Sequence, residues 1–143
     1  FGVELSEALG FLSQNSTAVA TTVGKTGRAQ STVVTTGCVD GKVAWVSRGR
    51  TVKVRNIERT GRATVTVIKL DTRRYVTVEG SAVVHEWSDD DAAAQVKRLK
   101  DVYVAMDRTP KQSDDEFAAT MAQEKRAVIE VTPDRRYGSL TVR

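Results

Sequence analysis

Apolar and polar positions change period several times along this chain, and each change marks an element. Leu5, Leu9 and Leu12 recur at spacings of four and three, with Ser6 and Glu7 near the start, which predicts a short amphipathic helix ending by Asn15–Thr17. From Thr17 to Val23 the β-branched residues roughly alternate with small ones, the pattern of a strand. Gly24–Gly27 is a turn, and Ala29–Gly37 a second strand centred on Val33 and Val34. Asp40-Gly41 tolerates the positive φ of a tight hairpin turn, so Lys42–Ser47 follows as a third strand, completing a three-stranded meander.

The stretch from Arg48 to Thr60 is polar and basic, with Val52 and Ile57 as sparse apolar anchors. It reads as a loop entering a short helix closed by Gly61. Ala63–Leu70 predicts a fourth strand. A long fifth runs from Arg74 to Trp87, interrupted at Gly80 by a bulge or bend. Ser88 and the acids after it read as a capped helix start, with Ala92, Val96, Leu99, Tyr103 and Met106 on one face. Thr109-Pro110 breaks that helix. Ser113 to Glu116 is a capping box opening another, to about Gln123. Lys125–Thr132 is a sixth strand stopped by Pro133, and Tyr137–Val142 one more.

Short antiparallel strands with helices at their edges and no βαβ rhythm predict a mainly β fold with helices (α+β). Its form is a six- to seven-stranded antiparallel barrel, closed or nearly so. A chain of 143 residues suits a single domain over 1–143. The sequence opens at Phe1 rather than methionine, which implies residues before it, though nothing visible calls for a secretory leader. With Cys38 as the lone cysteine no disulfide forms within the chain, and no apolar run is long enough for a membrane span; both fit a cytoplasmic protein.

Charge narrows the reading further. The net charge is +4, and Arg48, Arg50, Lys53, Arg55, Arg59 and Arg62 cluster against the single acid Glu58, so the expected partner is anionic. That segment holds no Phe, Tyr or Trp to stack on bases, which argues against nucleic acid. One His and one Cys far apart in sequence argue against a Zn or redox-metal site; His85 reads as a structural or surface histidine with a substrate contact as the alternative, and Cys38 as an ordinary thiol rather than a nucleophile. There is no nucleophile elbow, Walker loop or dinucleotide fingerprint. What remains is chemistry carried by a coenzyme, with the protein supplying a pocket, or a binding module without catalysis.

Three pieces in order resemble the flavin- and deazaflavin-dependent split-barrel family related to pyridoxamine phosphate oxidase. They are Ala18–Val34 with its Gly27-Arg28-Ala29-Gln30, the run Val46–Ile57 with Lys53 and Asn56, and Tyr75–Gly80. The ending Arg126–Val131 and Tyr137-Gly138 is also similar. The resemblance implies a split β-barrel with the coenzyme ring against the second strand near Gln30, Thr32 and Val33. It implies phosphate contacts from Ser47, Arg50, Thr51 and Lys53, with Asn56 bracing the helix. Thr51 stands where relatives often carry Arg, and Arg50 is the expected substitute. Coenzyme F420 is the expected ligand and FMN the alternative. The acidic tail of F420 gives Arg48, Arg55 and Arg136 something to bind.

The implied activity is hydride transfer from the reduced ring to an unsaturated small-molecule acceptor, with no catalytic side chain assigned. A non-catalytic flavin, F420 or tetrapyrrole binder is the other reading. Relatives form homodimers with the ring at the subunit seam, where Arg74 and Tyr75 would approach the neighbour's coenzyme.

Overall fold

A computed structural model of the chain describes residues 2–141. The elements are α1 (Leu5–Gln14), β1 (Thr17–Val23), β2 (Ala29–Thr35), β3 (Gly37–Val39), β4 (Lys42–Arg48), α2 (Val52–Thr60), β5 (Arg62–Lys69), β6 (Arg74–His85), α3 (Ala92–Ala105), α4 (Asp114–Glu124) and β7 (Arg126–Ser139). The strands form one seven-stranded antiparallel sheet in the order β2-β1-β5-β6-β7-β4-β3. Although β2 and β4 lie near opposite edges, they line a common cleft, so the sheet is curled into a half-barrel.

Alternation along the strands decides what fills the curl. Val43, Trp45, Val65, Val67, Val76, Val78 and Ile129 point inward, where α1 adds Ala8 and Leu12 and α2 adds Val54 and Ile57. A second core lies on the other face of β4 and β7. There Leu99 and Val102 of α3 and Met106 at its C-cap join Phe117 and Met121 of α4 over Ala44 and Val128. Each large side chain so buried contributes roughly 1.5–3 kcal/mol before its ordering cost.

Four expectations are corrected. The three-stranded meander does not form. The chain leaves β2 at buried Thr36, whose N–H donates to Ser16 O at 2.8 Å, and enters β3 at the far edge of the sheet. The predicted second strand therefore ends at Thr35, and two separate hairpins form instead, β1 with β2 and β3 with β4, joined to the rest of the sheet through β5 and β7. Gly37 opens β3, and the position needs glycine because a Cβ there would sit 2.6 Å from Ala105 Cβ of α3. Secondly, Pro133 does not end a strand: β7 runs through it, and the register slips between Glu79, opposite Arg135, and Gly80, opposite Pro133. A bulge is one of the few sheet positions that needs no proline N–H.

Thirdly, Ser88 makes no side-chain cap. A turn of 3₁₀ helix over Asp89–Asp91 precedes α3. Lastly, the separate terminal strand is the second half of β7, and Val142 lies outside the described residues. The bulge expected at Gly80 is present, and a Cβ on that residue would lie 1.7 Å from Thr132 O.

Candidate functional site

The basic segment folds as its composition directs. Thr51 caps α2, its hydroxyl accepting from Val54 N at 3.4 Å, and Gly61 closes the helix in the left-handed region at φ 67°. No acid occupies the first turn of α2, so its unpaired N–H groups and positive dipole end are not neutralised from within. Ser47, at the end of β4, lies 3.5 Å from the Thr51 hydroxyl and donates to Arg48 O at 2.9 Å. Lys53 enters half-buried, with no carboxylate partner among the described residues, and burial pushes its ammonium below the ordinary lysine value.

These groups border a cleft of about 470 Å³. One wall is Val33–Thr35 of the edge strand β2, and another is Val46 to Arg48 with Thr51 and Lys53. The third is Tyr103, Met106 and Arg108 at the end of α3, with Arg126 of β7. The lining holds Arg48, Lys53, Arg108 and Arg126 and no carboxylate. Arg48 and Arg126 both donate to Glu124 Oε2, at 3.4 and 3.0 Å, while Arg126 Nε is buried with no partner among the described residues. A buried donor left unsatisfied is costly, and an anion in the cleft is the group that would satisfy it.

The end of α3 is fixed by a Schellman motif. Asp107, in the left-handed region at φ 59°, donates to Val104 O at 3.0 Å, and Arg108 N–H reaches back to Tyr103 O at 2.9 Å. The opposite wall is braced by a polar chain. Asn56 of α2 donates to Thr22 Oγ1 at 3.1 Å, Thr22 to Gln30 Oε1 at 3.3 Å, and Gln30 to Thr32 Oγ1 at 3.2 Å. The chain ties β2 to the helix that carries Lys53.

Of the residues singled out in the sequence, Val33, Ser47, Arg48, Thr51 and Lys53 line the cleft together. Gln30 and Thr32 brace its wall without lining it. Arg50 faces an adjoining hollow of about 460 Å³, which also has Arg48, Trp87 and Lys125 along it. Arg55 is exposed on α2. Tyr75, half-buried, stands opposite Ser139 on β6, and Arg136 stands opposite Val78; neither borders the cleft. Arg74 lies over the Phe11 ring, 5.9 Å from its centroid.

Tyr103, Met106, Arg108 and Arg126 are cleft residues that the sequence did not single out. Tyr103 and Met106 carried only a core-type spacing signal, and no local pattern marks the two arginines. His85 is paired with Glu130 across β6 and β7. Burial raises the Cys38 thiol, with a backbone hydrogen bond at Gly41 acting weakly the other way, so it is no activated thiolate. No group of His, Cys, Asp or Glu among the described residues could hold a metal ion. No helix among them is long and apolar enough to cross a membrane.

The cationic cleft thus sits at the end of β4 in an α+β half-barrel. The sequence profile of pyridoxamine 5′-phosphate oxidase matches residues 5–139, and the chain belongs to that family. Among solved structures it is similar to a conserved hypothetical protein from Mycobacterium tuberculosis, with a TM-score of 0.73 and 20% identity over 95% of this chain and 84% of that one. A structure described as an F420 reductase gives a TM-score of 0.64 and 20% identity over 90% of this chain and 94% of that chain. A pyridoxamine 5′-phosphate oxidase-related, FMN-binding protein from Nostoc punctiforme gives a TM-score of 0.64 and 13% identity over 94% of this chain and 78% of its own. No curated protein matches the chain in sequence.

Proposed function

We propose that the chain is an oxidoreductase that binds coenzyme F420 in the cationic cleft and acts as an F420H2-dependent reductase of an unsaturated small molecule. The observation that carries this reading is the lining itself: Arg48, Lys53 and Arg126 gather around one cleft with no carboxylate on its walls. Lys53 is desolvated and unpaired, and Arg126 Nε has no partner among the described residues. An anionic group fits those donors, and apolar Val33, Val34 and Val46 beside them fit a ring.

Ser47, Arg48, Thr51, Lys53 and Arg126 would hold the phosphate-bearing part of the coenzyme, with Val33 and Val34 against the ring. A reduced deazaflavin held there would supply hydride-transfer chemistry, with the balancing proton of the acceptor coming from solvent. The protein's share is to bind, orient and exclude water. FMN remains the alternative coenzyme, and the number of cations favours F420, whose tail adds carboxylates to its phosphodiester.

The reading includes a homodimer. Val33 is 74% exposed on the outer face of β2, and Tyr75 stands on the outer face of β6, so a second copy laid on that face would complete the cleft at the seam.

Titration of purified protein with F420 and with FMN, followed by coenzyme fluorescence and absorption, tests the site. Lys53→Ala is expected to weaken binding about tenfold with an unchanged melting temperature. Absence of binding by either coenzyme to the unaltered protein rejects the proposal. Turnover with a panel of enones and quinones separates an enzyme from a coenzyme-binding protein.

A further inference from the structure

Beside the cationic cleft lies a smaller hollow of about 230 Å³, built by the end of α3, the segment after it, and α4. The two share Tyr103 and Arg108, so one aromatic side chain and one guanidinium stand between them. The hollow's surface is apolar where Pro110, Phe117 and Met121 form it. Tyr103 meets Phe117 edge to face, with ring centroids 5.5 Å apart and an interplanar angle of 88°.

Most polar groups around the hollow are already committed. Gln112 donates to Thr120 Oγ1 at 3.2 Å, and Thr120 donates to Glu116 O at 3.0 Å. Glu124 reaches the rim, but its Oε2 is held by Arg48 and Arg126. Arg108 is different. No hydrogen bond or ion pair engages its guanidinium among the described residues, although the Schellman motif pins its backbone to α3.

A guanidinium with no partner of its own beside an aromatic-walled hollow suits one kind of guest. We propose that the hollow binds a small planar apolar or aromatic molecule bearing one acid group, the acid on Arg108 and the body laid against the Tyr103–Phe117 pair. Only the identification of this guest as the hydride acceptor, seated next to the coenzyme, rests on the function proposed above. The binding itself rests on the hollow.

Two probes of matched shape test this on the full chain: 4-fluorocinnamate and its neutral amide, 4-fluorocinnamamide, followed by fluorine NMR without coenzyme. The acid is expected to bind about tenfold more tightly than the amide. Arg108→Gln should erase that preference and leave the amide's affinity unchanged. Thr120→Trp, which fills the hollow from α4, should weaken both probes about tenfold while coenzyme affinity, titrated separately, stays within about twofold. Equal affinity for the two probes overturns the site, as does a preference that survives Arg108→Gln. A tenfold loss of coenzyme affinity in Arg108→Gln also overturns it, because Arg108 then belongs to the coenzyme. Probe binding as expected in a protein that takes neither F420 nor FMN supports the hollow and removes the proposed function.

Discussion

Arg48 and Arg126 stand directly opposite each other on β4 and β7, and one carboxylate oxygen, Glu124 Oε2, receives a hydrogen bond from both. Like charges facing across a ladder repel, so Glu124 at the end of α4 is what permits the pair at the cleft. It also couples the helical layer to the rim of the half-barrel.

Replacing Glu124 with Gln leaves the two guanidiniums facing each other uncompensated. The side chain of Arg48 is 69% exposed and that of Glu124 26%, so solvent screens much of the effect. A loss of about 1 kcal/mol is expected at low ionic strength, shrinking as salt is added. Thermal unfolding at two salt concentrations measures it, and inorganic phosphate should restore more of the variant's stability than of the parent's.

Gly80→Ala tests the bulge. The added Cβ meets Thr132 O at 1.7 Å and Asp134 N at 3.1 Å, both backbone atoms of β7 that cannot rotate away. A destabilisation of about 3 kcal/mol, read from denaturant unfolding, is expected. Wild-type stability in this variant would mean that β6 and β7 pair otherwise.

Asp107→Gly should stabilise the protein. Asp107 holds φ 59°, a conformation that glycine adopts without the cost a side chain brings. The gain expected is about 0.5–1 kcal/mol, seen as a higher urea midpoint.

Coenzyme binding should depend on pH through Lys53. Burial lowers its pKa from 10.5 in the free protein, and a bound anion favours the charged form. Affinity is therefore full while free Lys53 keeps its proton and falls as pH rises through the lowered value, earlier than for an ordinary lysine. Lys53→Arg should bind with an affinity that stays flat over the same alkaline range, and parallel titrations across pH compare the two.

Much of this architecture is legible along the chain because it rests on local rules. Thr17–Val23 is a strand by composition and alternation, and Thr51 with Gly61 brackets α2 by capping chemistry. The break at Thr36 is not legible: β-branched residues run up to it, and what turns the chain is a hydrogen bond to distant Ser16. Pro133 reads as a stop because the bulge that accommodates it depends on Gly80 in another strand. The cleft divides in the same way. Ser47 to Lys53 are contiguous and carry a recognisable pattern, whereas Arg108 and Arg126 reach it only through the packing of α3 and β7.

The ladder between β6 and β7 runs from Tyr75–Ser139 to His85–Val128 with one slip at the bulge, and residues 86–125 leave and return at neighbouring strand ends. Loop closure across such adjacent anchors changes only slowly with length. That excursion can lengthen, shorten or be exchanged while the sheet keeps its register and α2, which carries Lys53, keeps its place on it. The shape of the neighbouring chamber can thus vary while Ser47, Thr51 and Lys53 stay in place, provided a carboxylate is kept where Glu124 joins Arg48 and Arg126.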